Sequence, residues 1–231
     1  MKVYRSVFFD LDHTLWDYDK NSRETLEELY NFHRIDQFTN VEFEQFHDAF
    51  QQVNLRLWDQ YDRGLIDRFV IRDQRFPLVF SELKIPDMGL SHSVSEHYMT
   101  LSPTKKNLIP NTLEVLDYLS ARYPILLVTN GFNETQFTKV LSGGIEKYFK
   151  SIITSERAGH KKPSKEIFEF ALELGGHANH ETIMIGDNLL TDMAGAANAG
   201  IDSVLYNPKK QKHDSSVTHE IEDLLELKQI L

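Results

Sequence analysis

Four short apolar runs in the second half of the chain, set between stretches of helical spacing, constrain the fold more than any other feature. "PILLVTNG" reads as a buried strand over 125–128, "SIIT" at 151–154 as another, "ETIMIGD" as a third ending in Asp187, and "IDSVLYN" as a fourth. Runs that are continuously apolar rather than alternating fit strands covered on both faces, as in a parallel sheet. Helical spacing fills 112–121, 134–141, 165–174 and the stretch that follows Asp187 as far as Ala199, with Gly143, Gly144 and Gly200 as stops and turns. Residues 220–227 read as a last helix, and "NPKKQKHDSS" at 207–216 as a surface loop. Strand–helix alternation implies right-handed crossovers and a doubly wound parallel sheet, an α/β fold.

The chain opens with one more strand, over 3–9, and it ends unusually: "FFDLDHTLWD" carries Val7, Phe8 and Phe9 straight into Asp10 and Asp12. In an extended strand these two carboxylates would share a face, where like charges repel unless a cation or a shared proton relieves them. The segment is either a turn of solvated acids or a site. After it the texture becomes helical. Asn21 with Glu24 resembles a helix start, and 25–32 continues it; Phe43, Phe46, Phe50, Val53, Leu57 and Tyr61 form an amphipathic stripe; 67–83 and 91–99 follow, separated by Pro86 and Gly89. The expected organisation is an α/β core from 1–17 and 107–231, interrupted by a helical domain over 18–106. Trp58, Tyr61, Phe69 and Phe76 in that insertion are expected mostly to pack its interior.

Ligands of open α/β sheets bind beyond the carboxyl ends of the strands. Four polar signals fall at such ends or just after them: Asp10 with Asp12, Thr129 with Asn130, Lys161 with Lys162, and Asp187. Each alone has a plain explanation, as a turn, a loop opening, a solvated approach to a helix or a helix cap. Together, in this order, they describe one chemistry. A carboxylate can attack phosphorus and form an acyl phosphate, and a second carboxyl can protonate the leaving oxygen and then activate water. Asp10 and Asp12 suit that division; Mg²⁺ would keep Asp10 anionic, with Asp187 as a further oxygen ligand. A lysine would balance the phosphoryl charge, and Thr129 would donate to one of its oxygens.

The combination resembles the haloacid dehalogenase superfamily of aspartate-nucleophile hydrolases. "FFDLDHTL", "LLVTNG", "KKP" and "IGDNLLTD" are similar to its four motifs in order, and the match extends over nearly the whole chain. The resemblance implies a Rossmann-like core with a helical cap inserted after the first motif. By position it implies Asp10 as nucleophile, Asp12 as acid and base, Thr129 and Asn130 as phosphate holders, and Lys162 rather than Lys161 as the charge-balancing lysine. It places Mg²⁺ on the Asp10 side chain, the Asp12 backbone carbonyl and Asp187, with Asp192 as an outer ligand or support. One position departs: the family usually has glycine after its second aspartate, and this chain has His13. "DLDHTLWD", "TNGF" and "THEIEDLLEL" look most like the cytosolic 5′-nucleotidase branch, which acts on nucleoside 5′-monophosphates, with pyrimidine or deoxy substrates expected to be preferred.

Charge and composition narrow the partners. With 35 acidic against 25 basic residues the net charge is −10, which disfavours a nucleic-acid polymer and leaves a small phosphorylated metabolite. Cysteine is absent, so thiolate chemistry and Cys-ligated zinc are excluded. Neither a membrane span nor an export signal is legible, and a cytoplasmic location is expected. The alternatives are a phosphatase or phosphomutase for a sugar phosphate, a 2-haloacid dehalogenase, and a silent binding module. Dehalogenation has no need of Mg²⁺ or of Asp12.

Overall fold

The computed structural model describes residues 2–38, 40–87 and 89–231. They form two compact units, one built from the chain up to Tyr18 together with Lys106–Leu231, the other from Asp19–Lys105.

The first unit is a six-stranded sheet in the order β3-β2-β1-β4-β5-β6, with β1 Ser6–Phe9, β2 Ile125–Thr129, β3 Phe149–Thr154, β4 Thr182–Gly186, β5 Asp202–Tyr206 and β6 His219–Ile221. Every pairing is parallel. Strands β1, β2 and β4 are buried at every residue, which explains their unbroken apolar runs. Side-chain alternation sorts β1 between two layers. Val7 and Phe9 join Val115, Leu116, Leu119 and Leu227 on one face, while Phe8 joins Ile167, Phe168, Ala171 and Ala196 on the other.

Two expectations need correction. The first strand begins at Ser6, not Val3, which is exposed. The last helix over 220–227 is instead the strand β6, a single 3₁₀ turn Leu224–Glu226 and a short helix Leu227–Ile230. Ile221, Leu224 and Leu227 are all buried, and their spacing of three imitates a helical stripe. In β6 only Ile221 is buried, so the strand is too short to show alternation.

Among its described residues the second unit is built on four α-helices, α1 Tyr18–Phe32, α2 Phe43–Asp62, α3 Arg68–Glu82 and α4 Leu90–Leu101, and helix α5, Thr112–Ser120, follows in the first unit. Helix α1 begins at Tyr18, ahead of the expected start, and Asn21 lies inside it, buried. Asp67 caps α3 by accepting from the Phe69 and Val70 N–H groups. Phe46, Phe50, Phe76 and Phe80 are buried in this unit, whereas Phe69 is exposed. The Arg75 guanidinium is buried against Phe50, Phe76 and Tyr98 and donates to Asn54 Oδ1.

Candidate active site

Strand β1 lies between β2 and β4, so the chain runs outward from it in both directions, and the crevice beyond these three strand ends is the switch point of the sheet. Asp10 follows β1 directly, and its N–H donates to the Ile185 carbonyl of β4 at 2.9 Å. The ammonium of Lys162 is buried beside it. Nζ donates to Asp10 Oδ1 at 2.5 Å, to Asp192 Oδ1 at 2.6 Å and to the Val128 carbonyl at 2.9 Å. Asn130 holds this lysine by its main chain: Nδ2 donates to the Lys162 carbonyl at 3.0 Å, and Oδ1 accepts from the Lys162 N–H at 2.7 Å. The Asn130 amide is thus committed to Lys162. Lys161 is half-buried, and its carbonyl accepts from the Ser164 N–H.

Asp187, just past β4, accepts from the Thr14 hydroxyl at 3.2 Å. Asp10, Asp187 and Asp192 each place one carboxylate oxygen within 4.8 Å of the other two. Burial, with the charges of Asp192 and Asp187, holds the Asp10 carboxyl well above the usual carboxylate range against the pull of Lys162. Burial and Asp192 push Asp187 up to about 6. Burial alone would lower Lys162, but Asp10 and Asp192 outweigh it and hold the ammonium charged. Ionised together, the three carboxylates would exceed the one ammonium by two negative charges. An all-oxygen donor set with that excess fits Mg²⁺, a hard divalent cation.

Asp12 faces elsewhere. Strand β1 ends at Phe9, so the pleat does not carry through to Asp12, which sits in a turn where the Leu11 carbonyl accepts from the N–H groups of Leu15 and Trp16, both at 2.9 Å. His13 in this turn has φ 64°, a left-handed conformation that costs a side-chain-bearing residue about 1–2 kcal/mol. That explains why glycine is the usual residue here. The Asp12 carboxylate meets helix α6, Asn133–Ser142: Lys139 Nζ donates to Oδ1 at 2.6 Å and Gln136 Nε2 to Oδ2 at 2.9 Å. Burial would raise the Asp12 carboxyl, but Lys139 and Gln136 together hold it below its ordinary value. Gln136 also reaches Thr129, whose Oγ1 accepts from the Gly131 N–H at 3.1 Å and from Gln136 Nε2 at 3.3 Å. With both lone pairs used, the hydroxyl proton is available to a phosphoryl oxygen.

Gln136 and Lys139 are not among the candidates drawn from the sequence. A signal for them exists: they stand three residues apart on the face of α6 that also buries Val140, where an amphipathic helix would carry apolar residues.

A model of haloacid dehalogenase-like hydrolases matches residues 4–200. The HAD-hydrolase YfnB of Bacillus subtilis is 27% identical over 234 residues, covering 100% of this chain and 97% of that one. Its crystal structure, described as bound to magnesium, superposes with a TM-score of 0.87 over 99% of both chains. The pyrimidine 5′-nucleotidase YjjG of Escherichia coli is 28% identical, covering 97% of this chain and 96% of its own. The glyceraldehyde 3-phosphate phosphatase of Methanothermobacter thermautotrophicus is 27% identical, covering 99% and 100%.

Proposed function

Because this chain belongs to the haloacid dehalogenase-like hydrolases, we propose that it hydrolyses phosphate monoesters through an acyl phosphate on Asp10, with nucleoside 5′-monophosphates as substrates and Mg²⁺ as cofactor. The observation that carries this reading is the separation of two carboxylate environments. Asp10 shares Lys162 with Asp192 and lies in the cluster with Asp187, whereas Asp12 is held apart by Lys139 and Gln136. Without metal the electrostatics run opposite to these roles, with Asp10 held high and Asp12 low; Mg²⁺ on Asp10 would bring its carboxyl down and leave it free to attack.

Asp10 attacks phosphorus, and the ester oxygen departs with a proton from Asp12. Asp12 then takes a proton from water, whose oxygen attacks phosphorus and frees Asp10 and inorganic phosphate. Lys162 neutralises charge on the phosphoryl oxygens, and Thr129 donates its hydroxyl proton to one of them. Asn130 acts chiefly by holding Lys162 in place. Asp10, Asp187, Asp192 and the Asp12 carbonyl are the groups available to Mg²⁺, which when bound supplies positive charge to the phosphate. A halide leaves without a proton, so the elaborate support of Asp12 favours phosphoryl transfer over dehalogenation. The inserted helical unit would act as a cap that excludes bulk water.

The nucleotide assignment rests on the similarity to YjjG and on the "DLDHTLWD" and "TNGF" segments. Similarity to a triose-phosphate phosphatase over equal length favours a second reading, a small sugar phosphate. The deciding assay compares kcat/KM for pyrimidine, purine and deoxy nucleoside 5′-monophosphates with triose phosphates, hexose phosphates and phosphoglycolate. We expect a pyrimidine or deoxy nucleotide to lead. A clear win for a sugar phosphate would replace the nucleotidase reading and leave the mechanism standing.

A further inference from the structure

Helix α6 buries a lysine and a glutamine where its neighbours across the interface are Trp16 and the Thr129–Gly131 turn. Lys139 lies 4.5 Å from the centroid of the Trp16 ring and 5.6 Å from that of Tyr18, and its side chain is 6% exposed. Each Asp12 oxygen thereby receives one donor, and the two donors come from adjacent turns of one rigid helix. Gln136 fits only because residue 131 is glycine: a Cβ there would fall 1.6 Å from Gln136 Nε2. The opposite end of that amide, Oε1, is buried and meets no donor among the described residues.

Stability does not account for this arrangement. An unsatisfied buried acceptor is destabilising. A buried ion pair is commonly no more stabilising than apolar residues of similar volume. Apolar residues replacing the whole Asp12–Lys139 pair would pack at little cost, yet the chain spends two polar side chains on orienting one carboxylate. That carboxylate is still a quarter exposed, so one edge remains open to a reactant.

We propose that Lys139 and Gln136 are positioning residues that lock the Asp12 carboxyl in the orientation from which it hands its proton to the departing ester oxygen. This inference rests on the phosphatase reading above. In the step concerned, an Asp10 oxygen bonds to phosphorus as the phosphorus–ester oxygen bond breaks, and the proton leaves Asp12 for that oxygen. Lys139 and Gln136 touch neither phosphorus nor the ester; they remove the rotational freedom of Asp12. Their effect therefore scales with how much the leaving oxygen needs a proton.

The test compares kcat/KM for phenyl phosphate, a poor leaving group, with that for 2,4-dinitrophenyl phosphate, which departs unprotonated. kcat/KM reports the step up to loss of the leaving group and is blind to later attack by water. Lys139→Met should lower the phenyl phosphate value about 100-fold and the dinitrophenyl value less than about 5-fold. Gln136→Leu should show the same asymmetry at smaller size, and Lys139→Arg should recover most of the phenyl phosphate activity. Circular dichroism and thermal melts check that each variant is folded, and Gln136→Leu carries the test if Lys139→Met does not fold. Equal losses on both esters, or none on either, in a folded variant overturn the proposal while the phosphatase reading stands. Wild-type protein that cleaves neither ester overturns both.

Discussion

A lysine buried between two carboxylates holds its place only while all three charges are present. Removing Lys162 would leave Asp10 and Asp192 facing each other and Asp187 with no cation between them. Lys162→Ala should therefore cost about 3–5 kcal/mol in a denaturant titration without metal and lower kcat at least about 100-fold. Lys161→Ala should stay within about 3-fold of wild type, since the ammonium beside Asp10 is that of its neighbour. The reverse ranking would move the charge-balancing role by one residue. Asp187 gives a prediction of opposite sign. Burial and Asp192 raise its carboxyl to about 6, above the unfolded-state value near 3.9. The folded state then binds the proton more tightly than the unfolded state does. Its stability falls as pH rises between those two values and stays lower above them. Metal-free Asp187→Asn should thus melt above wild type at pH 7.5, and the gap should close toward pH 4. Mg²⁺ at pH 7.5 should reverse the order, because it stabilises only the chain with all its carboxylates. An unchanged melting order across these conditions would remove Asp187 from the cation site.

At the scale of elements, the site depends on how closely β4 approaches the turn after it. A Cβ on Gly186 would fall 2.3 Å from Asp192 Oδ2. Asp192 cannot retreat freely, since Oδ1 holds Lys162 and Oδ2 accepts from the Asn188 N–H at 3.1 Å. Gly186→Ala should cost about 1–3 kcal/mol by overpacking, and it should weaken Mg²⁺ binding measured calorimetrically, although residue 186 carries no ligand. Unchanged metal affinity in the folded variant would show that Asp192 is not held where it matters. These elements differ in how well the sequence reveals them. The fully buried strands β1, β2 and β4 announce themselves because both faces are covered, so each carries a run of successive apolar residues without alternation. Asp10, Thr129 and Asp187 stand out because each breaks such a run at its end. β6 hides because two of its three residues are exposed and the apolar residues after it fall at helical intervals. The start of α1 hides because Asn21, a good capping residue type, is buried within the helix. Gln136 and Lys139 hide for a related reason: exposed glutamines and lysines are ordinary on helices, so their place on the face of Val140 is a weak signal until the contact with Asp12 is seen.

At the scale of the whole molecule, the question is whether the α/β unit depends on the insertion that interrupts it. The two ends where the insertion leaves and rejoins are tied to each other within the first unit. The Asp17 N–H donates to the Asn107 carbonyl at 3.1 Å and the Ile109 N–H to the Leu15 carbonyl at 2.9 Å, around an antiparallel bridge between Trp16 and Leu108. Trp16 is fully buried and belongs to the same apolar cluster as Val7, Phe9 and Leu127. The junction is therefore part of the core of this unit. The insertion has buried aromatics of its own in Phe46, Phe50, Phe76 and Phe80. Replacing 19–105 by a short Gly-Ser linker between Tyr18 and Lys106 closes a small loop at a site where the chain ends are already paired, at little entropic cost. The shortened protein should unfold cooperatively, and Mg²⁺ should raise its melting temperature, because every carboxylate of the cluster lies in the retained part. Its kcat/KM for a nucleoside 5′-monophosphate should fall far more than that for phenyl phosphate, if the removed helices supply recognition and the retained residues supply chemistry. A shortened protein that melts without cooperativity would show that the sheet needs the insertion to fold. A cooperative one that keeps full nucleotide preference would place specificity in the α/β unit.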